Sequence, residues 1–395
     1  MKIIAFVGET FSDYQNKKYT KPTSIAFLQD AFGAENVYAA SPSIKVTDTP
    51  ENYSSVVHAG QFYDFPHYSS TKQFMTNCIF KKGYYKNYKN LADDVINKHK
   101  GEWFWIRTPS IGSIIFGLRA LKANQKVLHH MCADASNTWK DSKYKGVQKF
   151  FAFIMSRFVR YLLKKICSNK NTTNFCTGDV LEDFSRKYST NTHQFVDVMI
   201  KDIDSSDFQL NQNDNPIFDL LFLGRMVEDK GILDLIEVVN RLKEKVHLTL
   251  VGDGPDLNKA KSIVIQLGLQ DSIKFTGQLP HGSLAKLFNQ ADLITVPSNN
   301  NYEGFPRVIM EGWAHNKPVI VSRVGGVMAF VKHNENGLIF EPGNREELHS
   351  QISALLTDRL LFDKLRDGAK SMAKISTQQY WLDFLTSVLK KETKK

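Results

Sequence analysis

This chain of 395 residues has few of the features that mark membrane spans, disulfide scaffolds or metal centres. Its four cysteines, Cys78, Cys132, Cys167 and Cys176, show no paired metal-ligand spacing and no disulfide framework, so a reducing, cytosolic setting is expected. No apolar run approaches the ~20 residues that would cross a bilayer. The opening MKIIAFVG is too short for a signal peptide and reads as a first buried strand. Repeats and low-complexity tracts are missing, as are a P-loop, an H-E-x-x-H and a Gly-x-Ser-x-Gly motif. Gly252-Asp253-Gly254 follows a strand-like run, but Leu257 stands where a dinucleotide fingerprint needs its third glycine, so the segment reads as a tight turn.

What is present is an ordinary globular composition, 42% hydrophobic and 23% charged, in a chain long enough for two cores. The charge is unevenly placed. Residues 1–200 carry 27 Lys and Arg against 16 Asp and Glu, a net +11, whereas residues 201–395 carry 24 against 25, a net −1. The first half is therefore expected to face an anionic partner: nucleic acid, a membrane surface or a phosphorylated substrate.

The polar stretch DIDSSDFQLNQNDNP (202–216) has the composition of a linker. Beyond it, strand-like runs at 219–225, 246–252, 272–277, 292–298, 317–322 and 336–341 alternate with helical ones at 230–245, 256–267, 283–290, 306–315 and 326–333. Helices at 344–356, 358–373 and 376–391 close the chain. Such alternation predicts a parallel sheet wound on both faces. Earlier strands are expected at 2–7, 103–107 and 125–130. The fold class is α/β: two doubly wound Rossmann-like domains facing across a cleft. The expected boundaries are 1–203, a linker at 204–216, a second domain at 217–375 and a terminal helix at 376–395.

Within EGFPRVIMEGWAHNKPVI (303–320), Pro306 suits a first helical position and biases Phe305 toward an extended backbone. A helix from Pro306 to about His315 leaves Glu303 in the preceding loop. Glu311 then lies roughly 7–8 Å along the axis from Pro306. A retaining glycosidase sets its carboxyl groups about 5–5.5 Å apart, so the two acids read instead as contacts to different parts of one extended ligand. The free N–H groups at the helix start form an anion site between them. In a doubly wound sheet ligands bind beyond the carboxyl ends of the strands, where Gly224, Arg225 and Lys230 fall. Arg and Lys together suit a diphosphate.

The series FLGRMVEDKG, LVGDGP, FTGQLP, ADLITVPS, EGFPRVIMEGWAHNKPVIVSRVGG and NGLIF, over 219–341, resembles glycosyltransferase family 4, retaining enzymes of the GT-B fold, with Glu303 and Glu311 matching its E-x7-E motif. The resemblance implies that Arg225 and Lys230 bind the donor diphosphate and stabilise charge on the leaving group. It implies that Glu311 takes the ribose hydroxyls and Glu303 the donor sugar, with Gly224 and the backbone near Gly304 and Phe305 completing the donor site. It also implies a nucleotide-sugar donor as substrate, no cofactor and no metal. Retention would follow from attack on the face the diphosphate leaves, or from a covalent intermediate. Three departures stand out: Met328-Ala329 where Pro-Glu is common, Gly312 where alanine is usual at a helix cost of about 1 kcal/mol, and the extra Asn299–Tyr302 stretch.

In the first half, Gly8 takes the place of the family's glycine-rich loop. The resemblance implies a histidine near the donor sugar after the strand-like QKVL; His130 is the candidate, with His129 as the alternative and Asp134 as a neighbour, and a plain core or surface histidine is the competing reading. Arg107 is a candidate for the acceptor side. The expected function is transfer of a sugar to a saccharide or polyprenyl-diphosphate-linked acceptor in cell-surface polysaccharide or lipopolysaccharide biosynthesis. Competing readings are a nucleotide-sugar 2-epimerase or a phosphorylase of the same fold. A basic nucleic-acid-binding protein is a further one, although no nucleic-acid motif accompanies the charge.

KFFAFIMSRFVRYLLKKI (149–166) reads as a helix in a stretch, Ser142 to Gly178, that holds eight cations and no acid. Lys149, Arg157, Arg160 and Lys164 fall within a roughly 80° stripe. It is either a core helix with one wet stripe or a helix that docks on anionic lipid. The expected location is cytoplasmic, with peripheral attachment to the inner face of the membrane.

Overall fold

The structure is a computed structural model that describes residues 1–20, 24–48, 55–141, 144–201, 217–242 and 244–394. The expected linker, 204–216, lies outside the described residues. The chain forms two compact units. Met1–Met199, Tyr302–Phe305 and Leu382–Lys395 make the first, and Ile200–Asn301 with Pro306–Trp381 the second.

In chain order the first unit contains β1 (Ile3–Phe6), β2 (Phe11–Tyr14), β3 (Lys17–Thr20), α1 (Ser24–Phe32), β4 (Val37–Lys45), β5 (Ser55–His58), β6 (Phe62–Phe65), α2 (Thr71–Phe80) and α3 (Tyr84–Lys98). It continues through β7 (Trp103–Thr108), α4 (Ile111–Lys122), β8 (Lys126–Met131), α5 (Gly146–Cys167), β9 (Thr172–Cys176), α6 (Asp179–Arg186) and β10 (Thr192–Gln194). The sheet runs β10-β9-β8-β7-β1-β4-β2-β3-β5, with β6 on β4. It is parallel apart from the β2–β3 and β3–β5 pairs. All four residues of β1 are buried, as expected of a parallel strand covered on both faces. Helices α3, α4 and α5 cover one face, over Ile4, Phe6, Phe104 and Ile106. The alternate residues Trp105 and His130 pack on the other face with Phe195, which meets Phe27 of α1.

The second unit holds β11 (Phe218–Leu223), α7 (Ile232–Leu242), β12 (Val246–Val251), α8 (Leu257–Gln266), β13 (Ile273–Gly277), α9 (Leu284–Gln290), β14 (Leu293–Val296), α10 (Arg307–Ala314), β15 (Val319–Ser322) and β16 (Gly337–Phe340). Helices α11 (Arg345–Thr357) and α12 (Arg359–Met372) follow, and α13 (Gln378–Thr393) has its first four residues in this unit and the rest, from Leu382, in the first. Its six strands are all parallel in the order β13-β12-β11-β14-β15-β16, a doubly wound arrangement. The expected helix at 326–333 is only a 3-10 turn, Val327–Ala329. Asn336 is the reason: its side chain accepts from the Lys332 amide and donates to the Phe330 carbonyl, taking groups that a helix would use. Among the described residues no helix is long and apolar enough to cross a membrane.

Candidate active site

Strand order decides where each unit can hold a ligand. The second sheet reverses direction of winding between β11 and β14, so a crevice opens beyond their carboxyl ends. The loop after β11 carries Gly224, exposed Arg225 and half-buried Lys230. Gly231 follows with φ +72°, and a Cβ there would overlap the Pro297 carbonyl, so only glycine lets the Lys230 loop lie against the segment after β14. Two further bonds join these segments. The Asn299 amide donates to the Asp229 carbonyl at 3.0 Å, and Asn300 Nδ2 donates to the same oxygen at 3.4 Å. The extra Asn299–Tyr302 stretch thus helps to buttress the Lys230 loop. On the opposite side, the Met226 amide donates to Asp253 O at 2.9 Å, and Gly252 lies against the Gly224 carbonyl, which accounts for the Gly252-Asp253-Gly254 turn.

Pro306 is the N-cap of α10, which begins at Arg307, one residue later than the sequence suggests, and Glu311 is half-buried in its second turn. The Glu311 carbonyl receives both the amide and Nδ1 of His315, at 3.3 and 2.8 Å. Gly312 has a packing reason: a Cβ would come 2.8 Å from Ile294 Cγ1, so α10 sits closer to β14 than alanine would allow without a shift.

In the first unit the sheet switches direction at β1, between β4 and β7. Gly8 follows β1 with φ +73° and lies against Ser110, ahead of α4. Arg107 at the end of β7 pairs with Glu9 at 3.6 Å and Asp197 at 3.9 Å. Glu9 and Asp197 also accept from Thr20 and Ser24, so Arg107 belongs to a half-buried polar network beside the Gly8 loop.

The two histidines of β8 face opposite sides of the sheet. His129 is a satisfied core residue: Thr108 Oγ1 and Asn174 Oδ1 lie 2.9 and 3.0 Å from its ring nitrogens. Burial lowers its pKa to about 4, against the smaller opposing effect of the Asn174 bond, so it is neutral. His130 is 0% exposed and sits edge-on to Trp105 and Phe195. Its Nε2 lies 2.9 Å from Thr177 Oγ1. That hydroxyl gives its own proton to the Phe195 carbonyl, so His130 is the donor.

Thr177 connects His130 to the segment carrying Glu303. Gly304 rests against the carbonyls of Cys132 and Thr177, where any Cβ would collide, and Glu303 forms an antiparallel bridge with Ala133. Phe305 is buried. Asp134 shapes this loop; its carboxylate accepts from the Ser136 amide and Asn137 Nδ2. Sequence reading missed both this role of Thr177 and a cavity of about 250 Å³ beside Asp134, Asn137, Arg160, Asp183 and Lys187. Neither lies in a motif, and only the packing of α5 and α6 brings the cavity's walls together.

Residues 202–374 match the family model for glycosyl transferases group 1. An uncharacterised glycosyltransferase of Methanocaldococcus jannaschii is 33% identical over 141 residues, 35% of this chain and 36% of the relative. The lipopolysaccharide core biosynthesis glycosyltransferase LpsD of Rhizobium meliloti is 31% identical over 151 residues, 38% of this chain and 43% of the relative. The match therefore spans about two fifths of these curated relatives. Across 99% of both chains the fold is similar to the crystal structure of Anabaena HepE in complex with UDP and glucose, with a TM-score of 0.67 and 17% identity. The chain carries a glycosyltransferase group 1 domain, in an α/β fold of the GT-B type.

Proposed function

We propose that this protein is a retaining, metal-independent glycosyltransferase of family 4. It would move a hexosyl- or N-acetylhexosaminyl-type sugar from a nucleotide sugar to a saccharide or polyprenyl-diphosphate-linked saccharide acceptor. The observation that carries this reading is the pair of cations, Arg225 and Lys230, on one loop at the switch point of the group 1 domain. The lipopolysaccharide role named for LpsD supports a cell-surface polysaccharide or lipopolysaccharide product, and the UDP and glucose named for HepE support a nucleotide-sugar donor.

Breaking the glycosyl–phosphate bond leaves an oxocarbenium-like carbon and a nucleoside diphosphate. Arg225 and Lys230 neutralise the charge that grows on the diphosphate, so their attraction is greater in the transition state than in the ground state. Glu311 accepts hydrogen bonds from the ribose, and Glu303 holds the donor sugar. Gly8, Gly224, Gly304 and Phe305 supply backbone close to the donor. His130 acts on the sugar side through Thr177. The acceptor hydroxyl attacks the anomeric carbon from the face the diphosphate leaves, and its proton passes to a departing phosphate oxygen. The place of action is the cytoplasmic face of a membrane, with peripheral attachment.

A saturation-transfer screen of nucleotide sugars against short nucleic acids tests the class. Signals from one or more nucleotide sugars and none from nucleic acid are expected; the reverse pattern overturns the proposal. Incubation with the bound donor alone separates the epimerase reading. A transferase leaves the sugar's configuration at C2 unchanged, whereas accumulation of the 2-epimer would establish the alternative.

A further inference from the structure

The first unit carries an apolar surface that its own core does not use. In α5 the buried residues are Ser156, Val159, Leu163, Ile166 and Cys167. Val147, Phe150, Phe151, Ile154, Phe158 and Tyr161 are exposed, Val147 by 71% and Phe151 by 63%. At about 100° per residue these six fall within one arc of roughly 100°, on the side of the helix opposite the buried residues. Arg157 and Lys164 border that arc, and Lys165 lies within it.

A second segment has the same character. At the turn from α2 to α3, Phe80 is 80% and Ile79 73% exposed, followed by exposed Lys81 and Lys82, with Tyr85 and Lys86 in the first turn of α3. From Phe65 to Ala92 the chain has five lysines and no acid, as Ser142 to Gly178 has eight cations and no acid.

Topology brings the two together. Helices α3 and α5 each precede a strand, β7 and β9, of the parallel sheet, so both begin at its carboxyl edge. Helix α4 packs between them on the same face. At the usual spacing of 8–10 Å between packed helices, the two clusters stand about 20 Å apart along one edge. This is also the edge of the Gly8 loop and of the loop after β8.

Apolar and aromatic side chains ringed by cations, with no acid in either stretch, match a surface that is apolar inside and negatively charged outside. We propose that this edge of the first unit docks on an anionic lipid bilayer at two points, with the first half of α5 and the α2–α3 turn both entering the headgroup layer. The inference deepens the reading of an acceptor handled at a membrane, but its test uses no sugar nucleotide, so the two can fail separately.

The test is co-flotation of the full chain with vesicles of phosphatidylcholine, with and without phosphatidylglycerol. Binding should need phosphatidylglycerol and fall at least tenfold in high salt. Phe150→Ser with Phe151→Ser, and separately Ile79→Ser with Phe80→Ser, should each lower binding several-fold. All four changes together should abolish it, as expected of two linked contacts. Lys145→Glu with Lys149→Glu should weaken it as well. These side chains are exposed, so thermal unfolding should be unchanged in every variant. Equal binding to neutral vesicles, or serine variants that bind like the parent protein, would overturn the proposal. So would sedimentation showing that the parent self-associates through these residues instead. Failure of the parent protein to bind either kind of vesicle, with donor binding intact, would remove this inference alone.

Discussion

His130 Nε2 donates to Thr177 Oγ1 at 2.9 Å, and the carbonyl of the same threonine supports Gly304, next to Glu303. A buried histidine thus holds the backbone under the first glutamate of the pair. His130→Ala is expected to lower kcat while folding and nucleoside diphosphate affinity persist, and His130→Asn to recover part of the loss by restoring a donor. Steady-state kinetics with thermal unfolding and UDP titration would check this. Full activity in the alanine variant would make His130 a core residue only.

Lys230→Ala and Arg225→Ala should reduce turnover by about 10²–10³ while weakening donor binding far less, because their attraction peaks as the diphosphate departs. Glu311→Ala should do the opposite, raising the donor Kd with a smaller change in kcat, since ribose contacts are equal in both states. Donor calorimetry beside kinetics separates the two patterns. Normal turnover in both cation variants would remove their assignment.

Gly231→Ala tests the switch point without touching a charged group. It forces a left-handed backbone on alanine and drives a methyl into the Pro297 carbonyl, at a cost of about 1–3 kcal/mol. The melting temperature should fall, and nucleotide affinity should fall with it as the Lys230 loop moves. A variant of unchanged stability and affinity would mean that the two loops are not rigidly joined.

His129 makes a pH prediction. Its folded pKa is about 4 against 6.5 for a free histidine, so the unfolded chain binds a proton there at intermediate pH and the folded chain does not. Stability is then complete above about pH 6.5 and declines as pH falls toward 4, by up to about 3 kcal/mol from this group. Denaturant unfolding of the parent and of His129→Asn should show a shallower pH slope in the variant. In NMR the His129 ring should stay neutral at pH 5; a ring that titrates near 6.5 would contradict its buried, paired state.

The second unit was largely legible in the sequence. Its strands are short apolar runs that alternate with amphipathic helices through brief loops, so periodicity alone marks β11 through β16 within a residue or two. The exception at 326–333 turns on the Asn336 side chain, a contact that no periodicity reports. The candidate residues Arg225 and Lys230 could be placed just past a strand end, and Glu311 inside a helix, for the same reason. In the first unit only β1, β7 and β8 were expected; β2 to β6, β9 and β10 escaped notice. Of these, β2, β3 and β5 are four-residue strands of mixed polarity; β2 pairs in parallel with β4, and β3 and β5 are held only by the antiparallel pairs that extend the sheet beyond it.

The sequence by itself determined the alternating α/β order, the basic first half and the residue types gathered at the strand ends. Each of these depends on composition or local period. Tertiary structure alone decided three things: that His129 and His130 face opposite layers in different company, that Thr177 lies beneath Gly304, and which side of α5 is buried. Helix 149–166 is apolar around most of its circumference, and its hydrophobic period is satisfied by burying either side. Only the fit of Val159, Leu163 and Ile166 into the layer beside α4 chooses between them, leaving Phe150, Phe151 and Ile154 outside.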